Sequence, residues 1–368
     1  MAGKEPAGRG HVHVDMSADG ERGGRRDADL RCGDGTRVVD GSDRSIRLAV
    51  RMLRAGELVA VPTETVYGLA ADASNPEAVS RVFAAKGRPV DHPLIVHLGS
   101  GANLADWARR IPDQASRLAE AFWPGPLTMV LQRHRSVLDA VTGGQDTVAL
   151  RMPSHAVTQG ILERFGGGLA APSANRFGRV SPTSARDVCD GLAGVVGLVV
   201  DGGPCAVGVE STIVAFEEDE VAILRPGGVS AEEIARVIGR RARATVRGAL
   251  RAPGMLASHY APATTLELCS PDQAAPRAAK LVSRGKRVGV LSLARTEAPG
   301  AAATWDAGGD MAVFARSLYR VLRQADTEAL DVLVVALPPA EGLGVAVRDR
   351  LRRAAYRPVS EATARSTI

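Results

Sequence analysis

Lysine and asparagine are scarce in this chain, and one of each lies where a reactive site could be built. Of 46 basic residues only Lys4, Lys86, Lys280 and Lys286 are lysines, and asparagine occurs only at 75, 103 and 175. Arginine fills nearly every other basic position. The compact ammonium of Lys86 is therefore read as chosen, because a planar guanidinium does not replace it at a shaped site. Val79, Val82, Phe83 and Lys86 fall at i, i+3, i+4 and i+7, one helical face. A lysine ending an inward face needs an anion, or it must reach past the helix end to water. Cations also suit helix C-termini, and lysine snorkels, so the face alone does not decide. Arg88 stands just past the glycine that stops this helix. Arg151 shares a strand face with Thr147 and Ala149. An inward arginine wants a carboxylate or phosphate, with an internal salt bridge as the equal alternative. Ser173 and Asn175 occupy the loop beyond the strand end LAA, where ligands of open α/β sheets gather. Ser181-Pro182-Thr183 reads as a helix cap whose N–H groups could also receive an anion. Cations, hydroxyls and an amide in these places suit the binding of anionic ligands.

The elements that position these groups follow from local signals. The run LVAV before Pro62 reads as a buried strand ended by proline, and the polar loop PTETVYG follows. Asn75-Pro76 gives an N-cap and first helical residue, with Gly87 as the stop. Ser42-Asp43 caps an earlier helix with Ile46, Val50 and Leu53 on one face, ended by Gly56. In LIVHL, alternation sets Leu94, Val96 and Leu98 on one side and Ile95 and His97 on the other. Helices near 112–122 and 155–165, the strands LTMVL and DTVALRM, and the rigid turn WPGP complete the middle of the chain. Ser230 and Glu233 form a capping box for a helix over 231–239. Beyond residue 264, RVGVLSL, a helix near 310–325, LDVLVVAL and the basic helix VAVRDRLRRAA alternate, predicting a small parallel sheet.

Length and composition bound the class. A chain of 368 residues suggests two domains, and 45% apolar with 24% charged content is ordinary for a globular protein. No apolar run reaches the roughly 18 residues that span a membrane, and the N-terminus lacks a signal-peptide core. A cytoplasmic location is the default. Net charge of +5 permits contact with nucleic acid without arguing for it. Residues 1–40, rich in Gly, Arg and Asp, are predicted to be disordered; there His11 and His13 read as part of a solvated tail. The domains are set at 41–239 and 264–368, with a linker over 240–263. That linker carries Arg240, Arg241, Arg243, Arg247 and Arg251 and then His259 and Tyr260. The four cysteines are scattered, which argues against disulfides and zinc and for buried thiols at Cys189, Cys205 and Cys269. No P-loop, dinucleotide fingerprint, H-E-x-x-H or carboxylate cluster occurs, and no metal-ligating residues are assigned.

PTETVYGL, AKGRPVDHPLIVH, WPGPLT, VALRMP, APSAN, GVESTI, LRPG and PGM–HYAP follow one another in order. Their set resembles the threonylcarbamoyl-AMP synthases in their two-domain form. The match spans about residues 45–265 and weakens toward the C-terminus. The resemblance implies a twisted, open α/β domain, YrdC-like, with a large cavity, joined to a smaller Rossmann-like parallel α/β domain. It implies a nucleotidyltransferase that makes threonylcarbamoyl-adenylate from L-threonine, bicarbonate and ATP, releasing pyrophosphate. The product would feed threonylcarbamoyladenosine modification of tRNAs reading ANN codons, through a downstream threonylcarbamoyl transferase complex. Contact with tRNA itself would be indirect or weak.

The family's Lys–Arg–Ser–Asn tetrad falls on Lys86, Arg88, Ser173 and Asn175. ATP contacts carry over to Arg88, His92, Thr147, Ser173, Ser181 and Arg225, with His259 and Tyr260 added from the linker. Threonine contacts carry over to Thr65, His97, Arg151, Ala171 and Ser211. Ala257 and Ser258 stand where some relatives have an aromatic and a basic residue. The chemistry needs no protein nucleophile, only positioning and charge neutralisation. Magnesium would be held mainly through ATP phosphates. A carbamate decomposes in water, so the linker is expected to act as a lid. An RNA-binding module is the competing class. It is opposed by an aromatic content of 4% and by the absence of a basic stripe. Another carbamoyl-transfer enzyme on the same domain is opposed by the lack of acylphosphatase-like and zinc-finger regions.

Overall fold

The computed structural model describes residues 12–16, 32, 35–217, 220–243, 252–254 and 259–356. In chain order the first part comprises β1 (Val12–Asp15), β2 (Arg37–Val39), α1 (Asp43–Arg54), β3 (Val59–Val61), β4 (Gly68–Asp72) and α2 (Pro76–Lys86). Next come β5 (Ile95–His97), β6 (Ala108–Arg110), α3 (Asp113–Phe122), β7 (Leu127–Arg133), α4 (Asp139–Thr142), β8 (Thr147–Arg151) and α5 (Ala156–Phe165). Then follow β9 (Leu169–Ala170), α6 (Ala185–Leu192), β10 (Leu198–Val200), β11 (Thr212–Glu217), β12 (Glu220–Arg225) and α7 (Ala231–Ile238). The remainder is β13 (Thr265–Cys269), α8 (Pro271–Val282), β14 (Val288–Ser292), β15 (Ala303–Asp306), α9 (Met311–Thr327), β16 (Val332–Ala336) and α10 (Leu343–Ala355).

Helix ends follow the side-chain signals. Asn75 accepts from the N–H groups of Glu77 and Ala78, and Gly87 ends α2 in the left-handed conformation. Ser42 caps α1, and Ser230 with Glu233 forms a capping box on α7. One cap lies elsewhere than read from sequence. Ser184, not Ser181 or Thr183, caps α6, in a capping box with Asp187. The hydroxyl of Ser181 is occupied instead by a bond to Glu210.

The first domain is one mixed sheet in the order β12-β11-β7-β8-β5-β9-β4-β3-β10-β2, with β6 added on β7. One face of its centre, with Met129, Leu131, Val148, Leu150, Val96, Leu94 and Leu98, packs on Val79, Val82 and Phe83 of α2. Each such apolar side chain contributes about 1.5–3 kcal/mol by leaving water. The other face carries Ile95, Val130, Ala149, Ile213 and Ala215 in a thin apolar layer, and His97 and Arg151 project from that same side by strand alternation. The two faces of LIVHL and DTVALRM thus separate core from cavity. The second domain is an all-parallel sheet, β1-β15-β14-β16-β13, covered by α8, α9 and α10.

The disordered reading of residues 1–40 is corrected where the segment is described. Val12–Asp15 adds a parallel edge strand to β15, in register from Val12 on Ala303 to Asp15 on Asp306. Met16 is buried against Trp305 and the α9 side chains of the second core. Arg37–Val39 pairs with β10 in the first domain, and Thr36 bonds the Val196 carbonyl. The segment succeeds because it borrows partners: each strand completes an existing sheet edge, so little apolar content of its own is needed. The expectation of a buried thiol at Cys189 is corrected as well. Cys32 and Cys189 form a disulfide, while Cys205 and Cys269 are buried thiols. Two cysteines 157 residues apart give no local spacing to read. Arg247, Arg251, Ala257, Ser258 and His11 lie outside the described residues.

Candidate active site

A cavity opens on the sheet face that carries His97 and Arg151. Its wall comes from the loop after β3 (Thr65, Val66), from Arg88 beyond α2, and from Ile95 and His97 of β5. Arg151 of β8, the run Ala171–Ser173, Glu210 and Ser211, and Arg225 complete the first domain's share. The linker closes the wall with Pro253, Gly254, His259 and Tyr260.

Arg151 shows that the two sequence alternatives coexist. Its Nη2 pairs with Glu64 Oε1 at 2.6 Å, and its Nε donates to the Gly125 carbonyl at 3.4 Å. The other Glu64 oxygen accepts from the Ser154 N–H at 3.1 Å. The buried carboxylate thus fixes the fork while Arg151 still lines the cavity. Glu64 is not legible from the sequence, because nothing in PTETVYG reveals a partner 87 positions away. His97, opposite Arg151 in the β5–β8 register, is kept neutral: burial and then Arg151 hold it well below the usual imidazole range. Its Nδ1 is buried without a partner. Ser211 bonds Thr128 across the floor at 2.8 Å.

A second cationic group gathers under the linker. Arg88 donates from Nη2 to the Pro93 carbonyl at 2.9 Å, its Nε has no partner, and its guanidinium lies 5.8 Å from the Phe177 ring centroid. Burial lowers its pKa to about 10. Arg225 donates to the Ser211 carbonyl and hydroxyl and, from Nη1, to the Pro253 carbonyl at 3.0 Å. The linker is thereby held to the end of β12. Burial lowers the affinity of Arg225 for its proton too. Cations in this condition are stabilised by an anion.

Lys86 is buried at the end of its helical face and stands behind the cavity wall, where backbone carbonyls take the place of the anion or water expected from its spacing. Its Nζ donates to the carbonyls of Ser173 and Asn175, and the Lys86 carbonyl accepts from the Phe177 N–H. The Asn175 side chain donates to the carbonyls of Arg176 and Arg179 at 2.8 Å each, leaving its buried Oδ1 without a partner. Lys86 and Asn175 thus shape the loop that presents Ser173 to the cavity. Burial, then Arg88, hold the Lys86 ammonium well below the usual lysine range.

His92, Thr147 and Ser181 do not line the cavity. His92 meets Phe177 edge-on at 5.5 Å, and Phe177 meets His259 at 6.0 Å. Thr147 sits half-buried at the start of β8. Ser181 lies behind Glu210. His259 continues to Tyr260 at 4.1 Å, and Tyr260 stacks on Tyr319 of the second domain at 5.7 Å. Burial lowers the pKa of His259 to about 3, Glu210 opposing and Lys86, Arg88 and Arg225 adding. Tyr260 is buried with a φ of 62°, a strained conformation for a residue with a side chain. Gly254 makes room for it: a Cβ there would stand 2.6 Å from the tyrosine oxygen, at a φ of 80°.

Comparison with known proteins decides what this architecture belongs to. Family models match residues 51–227, described as telomere recombination, and 229–356, described as the threonylcarbamoyl-AMP synthase C-terminal domain. The threonylcarbamoyl-AMP synthase of Pyrococcus abyssi is 42% identical over 320 residues, which is 84% of this chain and 93% of that protein. The chain belongs to the threonylcarbamoyl-AMP synthase family. Members are enzymes of nucleotidyltransferase type, and a Bacillus subtilis member is 39% identical over 88% of this chain and 96% of its own length. A crystal structure of P. abyssi Sua5 with L-threonine superposes with a TM-score of 0.80 at 40% identity, covering 87% of this chain and 97% of that one. Another P. abyssi Sua5 structure, in which a histidine and the tyrosine after it are alanines, gives the same score at 39% identity.

Proposed function

We propose that this synthase-family chain makes threonylcarbamoyl-AMP from L-threonine, bicarbonate or carbon dioxide, and ATP, with release of pyrophosphate. The observation that carries the reading is one cavity with two cationic groups. Arg151, held as a fork by Glu64 beside neutral His97, suits an amino-acid carboxylate. Arg88 and Arg225, with Ser173 between the strands and the linker, suit a triphosphate. In this reading the threonine amine adds to carbon dioxide and loses a proton, giving a carbamate. A carbamate oxygen attacks the α-phosphorus, the bond to the bridging oxygen breaks, and pyrophosphate leaves. Positioning of the two reactants and neutralisation of the phosphate charge supply the rate.

Magnesium is proposed to arrive with the nucleotide. Among the described residues no group of three His, Cys, Asp or Glu could hold a metal. The acids at the cavity are engaged: Glu64 by Arg151, and Glu210 by Ser181, Tyr319 and Arg350. These residues build no metal cage, so the ion's ligands would be phosphate oxygens and water. We further propose that His259 and Tyr260 close over the nucleotide as a lid. The pair is the single His-Tyr dipeptide in the sequence, like the pair replaced in the P. abyssi variant. The product would pass to a threonylcarbamoyl transferase complex acting on tRNAs that read ANN codons, with at most weak direct tRNA contact. A cytoplasmic site of action goes with that role; among the described residues no helix is long and apolar enough to cross a membrane.

The test is pyrophosphate release with labelled bicarbonate. Release that requires both threonine and ATP, with label entering an adenylate, is expected. Release independent of threonine would overturn the reading.

A further inference from the structure

The second domain reaches the cavity wall through two side chains, Arg350 and Tyr319. Arg350 of α10 is fully buried, and its Nε contacts Glu210 Oε2 at 2.6 Å. Its guanidinium lies 5.3 Å from the Tyr260 ring centroid, and its Nη1 pairs with Asp349 at 2.6 Å. Glu210 belongs to the first domain and lines the cavity. Its oxygens also accept from Ser181 at 2.7 Å and from Tyr319 of α9 at 2.8 and 3.0 Å. Two of the three side chains that hold this carboxylate therefore come from the second domain.

Glu210 poses an electrostatic problem. A buried carboxylate on the wall of a site for a polyanion repels that polyanion, and low-dielectric surroundings strengthen the repulsion. Protonation does not relieve it. Burial pushes the Glu210 carboxyl up, but Arg350, then Arg225 and the hydrogen bonds, outweigh burial and hold it at about 2. The charge must be cancelled by a neighbour. Arg225 is held by Ser211 and Pro253, whereas Arg350 lies directly on the carboxylate.

We propose that Arg350 is a positioning residue for nucleotide binding, supplied by the second domain, which neutralises Glu210 and seats Tyr260 so that the cavity accepts a triphosphate. The proposal rests on the reading that ATP occupies this cavity. Arg350 touches no substrate; it acts through Glu210 and the linker. Docking of the second domain and competence for nucleotide are then one event, since the cation leaves the wall if the domain undocks.

Calorimetry on the full chain, with ATP and threonine titrated separately, tests this. Arg350→Met should weaken ATP binding about tenfold or more, as expected when a buried ion pair loses one partner. Threonine affinity should change less than about threefold. Adding Glu210→Gln to Arg350→Met should restore ATP affinity to within about threefold of wild type, because the uncancelled charge is then gone. Arg350→Lys, which keeps the charge, should fall between. If Arg350→Met fails to fold, the doubly neutral variant still decides: a persistent tenfold loss of ATP affinity there overturns the proposal. Equal losses for both ligands in Arg350→Met, unrelieved by Glu210→Gln, would make Arg350 an ordinary structural ion pair. Wild-type protein that binds threonine but no ATP would overturn the functional reading, and this inference with it.

Discussion

At the scale of the residue, Lys86 is defined by what it holds. Its ammonium spans the carbonyls of Ser173 and Asn175, so its removal acts on the loop and on the local charge together. Lys86→Ala should lower pyrophosphate release by about 10²–10³. It should also cost about 1–3 kcal/mol of stability for each buried carbonyl left without a donor. Rate and melting temperature measured together check this; a folded variant with near-normal release removes Lys86 from the chemistry. His259 sets a pH dependence. Its folded pKa of about 3 lies below the ordinary imidazole value near 6.5. Between these values the unfolded chain binds a proton that the folded chain refuses, so stability is full above about pH 6.5 and is lost as pH falls toward 3. At pH about 5 the loss from this one group is about 2 kcal/mol. Glu210 acts in the same direction, but its window lies below the ordinary carboxylate range. The melting temperature should thus fall more in wild type than in His259→Gln between pH about 7.5 and 5. Equal falls would place the sensitivity elsewhere. Lys86 and Asn175 were legible because their types are rare in this chain, and Arg151 because alternation fixed its face. Glu64, Glu210 and Arg350 were not: they are common types whose significance lies in partners 87 and 140 positions distant.

At the scale of the element, helix ends and strand faces were largely legible, since caps and alternation are local. The Asn75-Pro76 start and Gly87 stop of α2 needed no tertiary information. The N-terminal strands were illegible for the opposite reason. VHVD and RVV are short and half-polar, and they are strands only because β15 and β10 present edges to them. Deleting residues 1–40 removes both strands, the buried Met16 and one partner of the Cys32–Cys189 disulfide. Met16 alone represents about 1.5–3 kcal/mol of apolar burial. The truncated chain should melt several degrees lower than the full chain. An unchanged melting temperature would show that neither strand contributes to stability. Restoring residues 17–40 should recover the β2 share and not the β1 share.

For the whole molecule, the α/β class of both sheets was readable from alternating strands and helices, but the junction between them was not. The linker reads as a lid with a His-Tyr pair; in the structure its described parts bond to Gly178 and Arg353 and complete the cavity. A chain ended near residue 240 loses Pro253, Gly254, His259 and Tyr260 from the wall, and Arg350 from behind it. It should keep threonine affinity within about threefold and lose ATP affinity by about tenfold or more, with slow turnover. Calorimetry with each ligand checks this, and turnover equal to the full chain would show that the wall beyond residue 240 is dispensable. The edge strand β1 bears on how the molecule is made. His13 and its partner Thr304 are 291 residues apart. At translation rates of about 5–20 residues per second, β1 leaves the ribosome about 15–60 s before the strand it joins exists. The first domain can condense in that interval, but β1 must wait as an unpaired strand, and the second sheet closes last, around the oldest part of the chain.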